Sequence, residues 1–182
     1  MSRWIRLYQQ SLEGAAPAGL RERLLRGVER ITPRTSPAAQ AAWVHEAVET
    51  LEAELAEPDR RLILERCGRS CIGRSVLANA RQIYASSQGM EDFLDRLNQA
   101  HIGGGRLAWR DGGVDAGYDR CYCGVVSQTQ QPFSPTFCNC SRGWYLALFE
   151  SCLGRPVEVT LLSSIIQGAD RCRFRITLPD GA

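Results

Sequence analysis

Three close cysteine pairs constrain this chain more than any other feature. Cys67 and Cys71 stand four apart, while Cys121 with Cys123 and Cys138 with Cys140 open and close the stretch CYCGVVSQTQQPFSPTFCNC. Each pair can act as a pincer on one ion, so a fold that uses them must bring distant stretches of backbone together. On a helix, the spacing of Cys67 and Cys71 sets both sulfurs on one face; Gly68 and Ser70 allow a turn instead. Along a strand, a Cys-x-Cys pair points both side chains to one side, but about 7 Å apart. Sulfurs bound to one tetrahedral ion at about 2.3 Å must lie closer together, which predicts a bulge or turn at Cys121 and at Cys138. Four of these six thiols are expected to hold zinc or a [4Fe-4S] cluster, two centres that spacing does not separate. Disulfides, thiol redox chemistry and inert packing are the competing readings. The absence of Cys-x-x-Cys disfavours a thioredoxin-like dithiol.

The remaining two thiols read differently. Cys172 alternates with apolar residues of a strand and Cys152 lies on the apolar stripe of a helix, where a thiol packs as a small hydrophobe. Cys172 stays in reserve as a ligand or nucleophile, because a strand end can face a pocket. Glu150, close to Cys152, and His101, just before a glycine triplet, are the candidate proton carriers. His45 falls beside a helix stripe and reads as a packed or surface histidine. Trp144, Tyr122 and Phe137 lie among the aromatics that crowd the cysteine segment, as core or as walls of a pocket for a flat apolar ligand.

Composition narrows the classes. All 22 basic side chains are arginine, which excludes Schiff-base and phosphate-loop lysines. A net charge of +2 offers no broad field for nucleic acid, and no apolar run approaches the roughly 20 residues of a membrane span. The expected partner is a small organic molecule, with no nucleic acid and no membrane, and with a homodimer left open. No secretory apolar run stands at the N-terminus, so a cytoplasmic location is expected, where clustered thiols bind metal more often than they form disulfides.

Periodicity splits the chain into a helical region, residues 1–102, and a cysteine-rich region of antiparallel sheet plus one helix, residues 103–182, packed as a single domain. Leu20, Leu24, Val28 and Ile31 share one helical stripe. Ser36 and Pro37 start a helix with Val44, Val48, Leu51 and Leu55 inward, ending near Pro58. Two helical pieces follow, interrupted near Gly68, and then a short one with Phe93, Leu94 and Leu97 inward. The triplet Gly103 to Gly105 marks a boundary, and Asp111, Gly112 and Gly113 a hairpin turn. Tyr145, Leu148, Phe149 and Cys152 repeat at helical spacing; Val157, Val159 and Leu161, and later Cys172, Phe174, Ile176 and Leu178, alternate as strands. The fold class is α+β, helices packed on an antiparallel sheet with one late helix.

The segments CYC, SPTFCNCSRGW and LFESCLGRPVEVTLLSSIIQGADRCRF together resemble a cysteine-rich prokaryotic family. That family is similar to the L-2-amino-thiazoline-4-carboxylate hydrolase-like group and, more distantly, to the small-molecule-binding 4-vinyl reductase domain. The pattern falls on Cys121, Cys123, Cys138, Cys140, Gly143, Trp144, Phe149, Glu150, Gly154, Pro156, Gly168, Cys172 and Phe174, covering roughly the last 65 residues and CGRSC more loosely. The resemblance implies a ligand cavity between the helical cover and the sheet. The functional expectation is a cysteine-ligated metal or iron-sulfur protein with a pocket for a small organic molecule. A metal-independent cysteine hydrolase or carbon-sulfur enzyme, acting on a small sulfur- or nitrogen-containing molecule, and a small-molecule or redox sensor are the alternatives.

Overall fold

The structure, a computed structural model, describes residues 1–127 and 133–178. Residues 128–132, inside the cysteine-rich connection, lie outside the described residues.

The chain opens with α1 (Arg3–Leu12), capped by the Ser2 hydroxyl accepting from the Ile5 N–H and burying Trp4, Ile5, Tyr8 and Leu12. α2 (Ala18–Leu24) is short, because Gly27 turns into the left-handed region and Val28–Arg30 forms a single 3-10 turn. The single helix expected from Leu20 to Ile31 is thus broken. α3 (Pro37–Glu54) starts as its sequence dictates, with Ser36 accepting from the Ala39 N–H and proline in the first turn. α4 (Glu57–Cys71) begins around Pro58 and runs unbroken through Gly68, which corrects the interruption expected there; the break comes at Ile72 and Gly73, before α5 (Arg74–Ser86). α6 (Met90–Gln99) buries Phe93, Leu94 and Leu97.

Two tight strands follow. β1 (Ala108–Arg110) and β2 (Gly113–Tyr118) form the hairpin expected at Asp111 and Gly112, both at positive φ. The strand character stops at Tyr118, short of the first Cys-x-Cys pair. After the connection, a 3-10 turn at Pro135–Cys138 leads into α7 (Asn139–Leu153), which ends at the left-handed Gly154. β3 (Glu158–Ser163) and β4 (Cys172–Thr177) complete an antiparallel sheet of order β1-β2-β4-β3. Among the described residues no helix is long and apolar enough to cross a membrane.

Helices lie on one face of that sheet, which makes the fold α+β. Val114, Ala116, Val159, Phe174 and Ile176 point from the strands into a core completed by Phe93, Leu94 and Leu97 of α6 and Tyr145, Leu148 and Phe149 of α7. A second core joins α1, α3 and α4 through Trp4, Tyr8, Val44, Leu51, Ile63 and Leu64, and takes in Phe133 and Phe137 from the cysteine-rich segment. The two meet where α4 crosses α7. That crossing is so close that a Cβ at Gly68 would lie 1.9 Å from the Cys140 carbonyl oxygen, and one at Gly143 2.1 Å from that of Glu65. Only glycine allows backbones this near.

Candidate ligand cavity

The crossing and the adjacent end of the sheet enclose a cavity of about 890 Å³. Thiols reach its wall from five separate stretches of the chain. α4 contributes Cys67 and Cys71 from its last turns, and the loop after β2 contributes Cys121 and Cys123. Cys138 ends the 3-10 turn, Cys140 lies in the first turn of α7, and Cys172 opens β4 opposite Tyr118. All eight cysteines are free thiols, and Cys152 does not line the cavity: it packs into the sheet core. Neither Cys-x-Cys pair lies on a strand. Cys121 and Cys123 lie in irregular backbone just before a turn at 124–127, Cys138 lies in a 3-10 turn, and both pairs border the same space.

The sulfurs line a space and do not meet at a point. Among the described residues no three His, Cys, Asp or Glu side chains are arranged so as to hold a metal ion. Individual sulfurs have other partners. The Trp4 indole N–H donates to Cys140 Sγ at 3.2 Å, Cys138 Sγ and Ser164 Oγ share a hydrogen bond at 3.0 Å, and the Ile165 N–H donates to Cys172 Sγ at 3.4 Å. Cys67 stands near Cys140 across the helix crossing and helps to raise its proton affinity.

Burial sets the electrostatics of these thiols. It pushes Cys123 and Cys138 up to about 12, and raises Cys71, Cys121 and Cys140 above the ordinary thiol value. The physical cause is the same throughout, since a thiolate loses its hydration inside the wall while a neutral thiol loses little. All five are protonated at neutral pH.

Aromatic rings form the rest of the wall. Trp4 stacks on Tyr8 at 5.0 Å and on Phe137 at 5.2 Å. Tyr118 lies flat against Tyr145, ring centroids 5.6 Å apart and planes 8° from parallel, and the Tyr145 hydroxyl donates to the Gly103 carbonyl at 3.0 Å. Tyr122 is 60% exposed at the mouth, edge-on to Tyr118. Trp144 stands perpendicular to Tyr145. The glycine triplet also borders the cavity, all three residues at positive φ, with Gly104 against the Gly117 carbonyl and the Tyr118 ring.

The residues singled out from the sequence fall into two groups. Cys67, Cys71, Cys121, Cys123, Cys138, Cys140, Cys172, His101, Trp144, Tyr122 and Phe137 all border this one cavity. Glu150 does not; the Arg69 guanidinium grips both of its carboxylate oxygens, at 2.5 and 3.0 Å, on the outer side of the crossing. His45 packs edge-on to Phe133 at 5.2 Å and lies away from the cavity. Trp4 is an aromatic wall residue that periodicity missed. Its signal was available, as Ser2 followed by apolar residues at positions 4, 5, 8 and 12 describes a capped amphipathic helix.

A family model described as "Family of unknown function (DUF6144)" matches residues 22–181. Its description carries neither the hydrolase nor the reductase label that the resemblance suggested. No curated protein matches the chain. Among solved structures, the crystal structure of the phenol-responsive sensory domain of the transcription activator PoxR with phenol is similar at 18% identity, with a TM-score of 0.47, covering 88% of this chain and 90% of that one.

Proposed function

We propose a role for this chain, which belongs to the DUF6144 family of unknown function, from its cavity: it binds a small, flat organic molecule between its two cores. The observation that carries this reading is the cavity itself, about 890 Å³ and bordered by Trp4, Tyr118, Tyr122, Phe137 and Trp144. That volume falls in the range of pockets that bury whole organic ligands, and flat rings offer large contact area at little conformational cost. The chemistry of the wall supports binding over nucleophilic catalysis. Protonated thiols are weak nucleophiles, and His101 is the one imidazole on the wall. Trp4 and Trp144 make the test direct: a naphthalene-sized aromatic is expected to quench tryptophan fluorescence saturably, with one site per chain. Unsaturable quenching up to the probe's solubility limit sinks the reading.

A second reading rests on a separate observation, the seven thiols drawn to one wall from α4, α7, β4 and the connecting segments. Packing alone gives no reason for such convergence. Four thiolates from Cys67, Cys71, Cys121, Cys123, Cys138 and Cys140 would have to turn toward one point to bind zinc or a [4Fe-4S] cluster, the metal driving off their protons. Elemental analysis with thiol counting on anaerobically purified protein checks it. Stoichiometric zinc, or iron with matching sulfide, is expected, lost in Cys140→Ser and kept in Cys152→Ala, whose packing defect costs about 1 kcal/mol. Metal-free protein with equal, mild effects at both positions overturns it.

A further inference from the structure

The charged residues around the cavity are all of one sign. Arg3 and Arg120 stand on its border, and among the described residues no aspartate or glutamate lines it, although the chain carries 20 acidic side chains. Elsewhere some arginines are matched to carboxylates, Arg69 to Glu150, Arg142 to Glu65 and Arg175 to Asp115. Among the described residues neither Arg3 nor Arg120 has an ion-pair partner. Both are solvent-exposed at the rim, where such a partner would be easy to supply.

The wall around them adds to the same sign. The guanidinium of Arg120 lies 5.1 Å from the centroid of the Tyr122 ring, which steadies its flat face and leaves the N–H edges free to donate. α1 starts at Arg3 and α7 presents Cys140 and Ser141 from its first turn, and neither helix has an acidic residue in its first turn. The positive ends of two helices therefore add to the arginines, with no carboxylate opposing them. Cys71, Cys121, Cys123, Cys138 and Cys140 do not cancel this field at neutral pH, because burial keeps them protonated.

We infer that the ligand is a flat aromatic anion, its rings against Trp4, Phe137 and Tyr118 and its charged group toward Arg3 and Arg120. This rests on the cavity being a pocket for an organic molecule, and it narrows that reading to one charge class. A cationic amine is repelled here. An amino acid or other zwitterion finds no carboxylate on the wall to receive its ammonium group, so the inference runs against a substrate of that kind.

Three probes with the same ring system and different charge test it: naphthalene-2-sulfonate, naphthalene-2-methanol and 2-naphthylmethylammonium, titrated into full-length protein of known metal content. The sulfonate is expected to bind about tenfold or more tighter than the alcohol at low salt, with the ammonium weakest. That advantage shrinks at about 0.5 M salt. It collapses toward a ratio of one in the double variant Arg3→Gln with Arg120→Gln, and returns in part when both are lysine. An alcohol that binds as tightly as the sulfonate, or a ratio that the double variant leaves unchanged, overturns the inference while the pocket reading stands. If none of the three binds, the pocket reading fails and takes the inference with it.

Discussion

Gly68→Ala is expected to lower stability by at least about 3 kcal/mol and the melting temperature by about 10 °C, and Gly143→Ala to do the same. In an ordinary helix the exchange would gain up to about 1 kcal/mol, because alanine is the better helix former. Here packing reverses the sign. The new methyl group would lie 1.9 Å from the Cys140 carbonyl oxygen at one position and 2.1 Å from the Glu65 carbonyl oxygen at the other. Both obstacles are backbone atoms of a facing helix, with no flexible side chain to swing aside, so α4 and α7 must separate. Thermal unfolding followed by circular dichroism measures the loss. Labelling of Cys67 and Cys140 should accelerate with it, since both sit at this crossing. A change under about 2 °C in both variants would mean that the helices do not pack as closely as described.

The second large effect concerns alkaline pH. Cys123 and Cys138 are pushed up to about 12 by burial, against about 8.5 for a thiol in an unfolded chain. The folded protein therefore holds these protons more tightly than the unfolded one. Their contribution is fully present below about pH 8.5 and is lost as pH rises from there through 12. Each such thiol costs about 1.4 kcal/mol per pH unit inside that window, so the two together cost on the order of 3 kcal/mol per unit. Cys152, raised to about 11 by its own burial, adds a smaller share. Urea unfolding of metal-free, reduced protein between pH 7.5 and 10.5 is expected to show a flat region and then a steep fall, shallower in Cys123→Ser. A midpoint independent of pH would contradict the buried, neutral state of these sulfurs.

Much of this architecture was legible in residue order because its signals are local. Ser36 and Pro37 start α3, Asp111 and Gly112 turn the hairpin, and the alternation from Cys172 to Leu178 gives β4 its buried face. The helix interruption expected at Gly68 failed for an instructive reason. Glycine reads as a breaker from its own conformational freedom, whereas here it stays helical to admit the backbone of α7, a partner some seventy positions away that no local window contains. The break at Gly27, by contrast, is a real left-handed turn inside an apolar repeat that looks continuous.

The site was legible as a set of residue types and not as a shape. Spacing marked the three thiol pairs and the need for turns at Cys121 and Cys138, but the place of Cys172 beside them depends on the pairing of Tyr118 with Cys172 at the end of the sheet. Glu150 looked available beside Cys152 because its partner, Arg69, lies on another helix. The lack of acidic residues among the described residues of the wall belongs to the same class of property. It exists only once the fold has chosen which residues share a space.

The cavity borrows its boundary from both hydrophobic cores, Phe137 and Trp4 from one side and Tyr118 and Trp144 from the other. An occupant of that seam would act as mortar between two blocks that otherwise touch chiefly along a pair of crossed helices. Neither block could loosen without releasing it, and whatever it contributed to cohesion would be shared by the whole molecule.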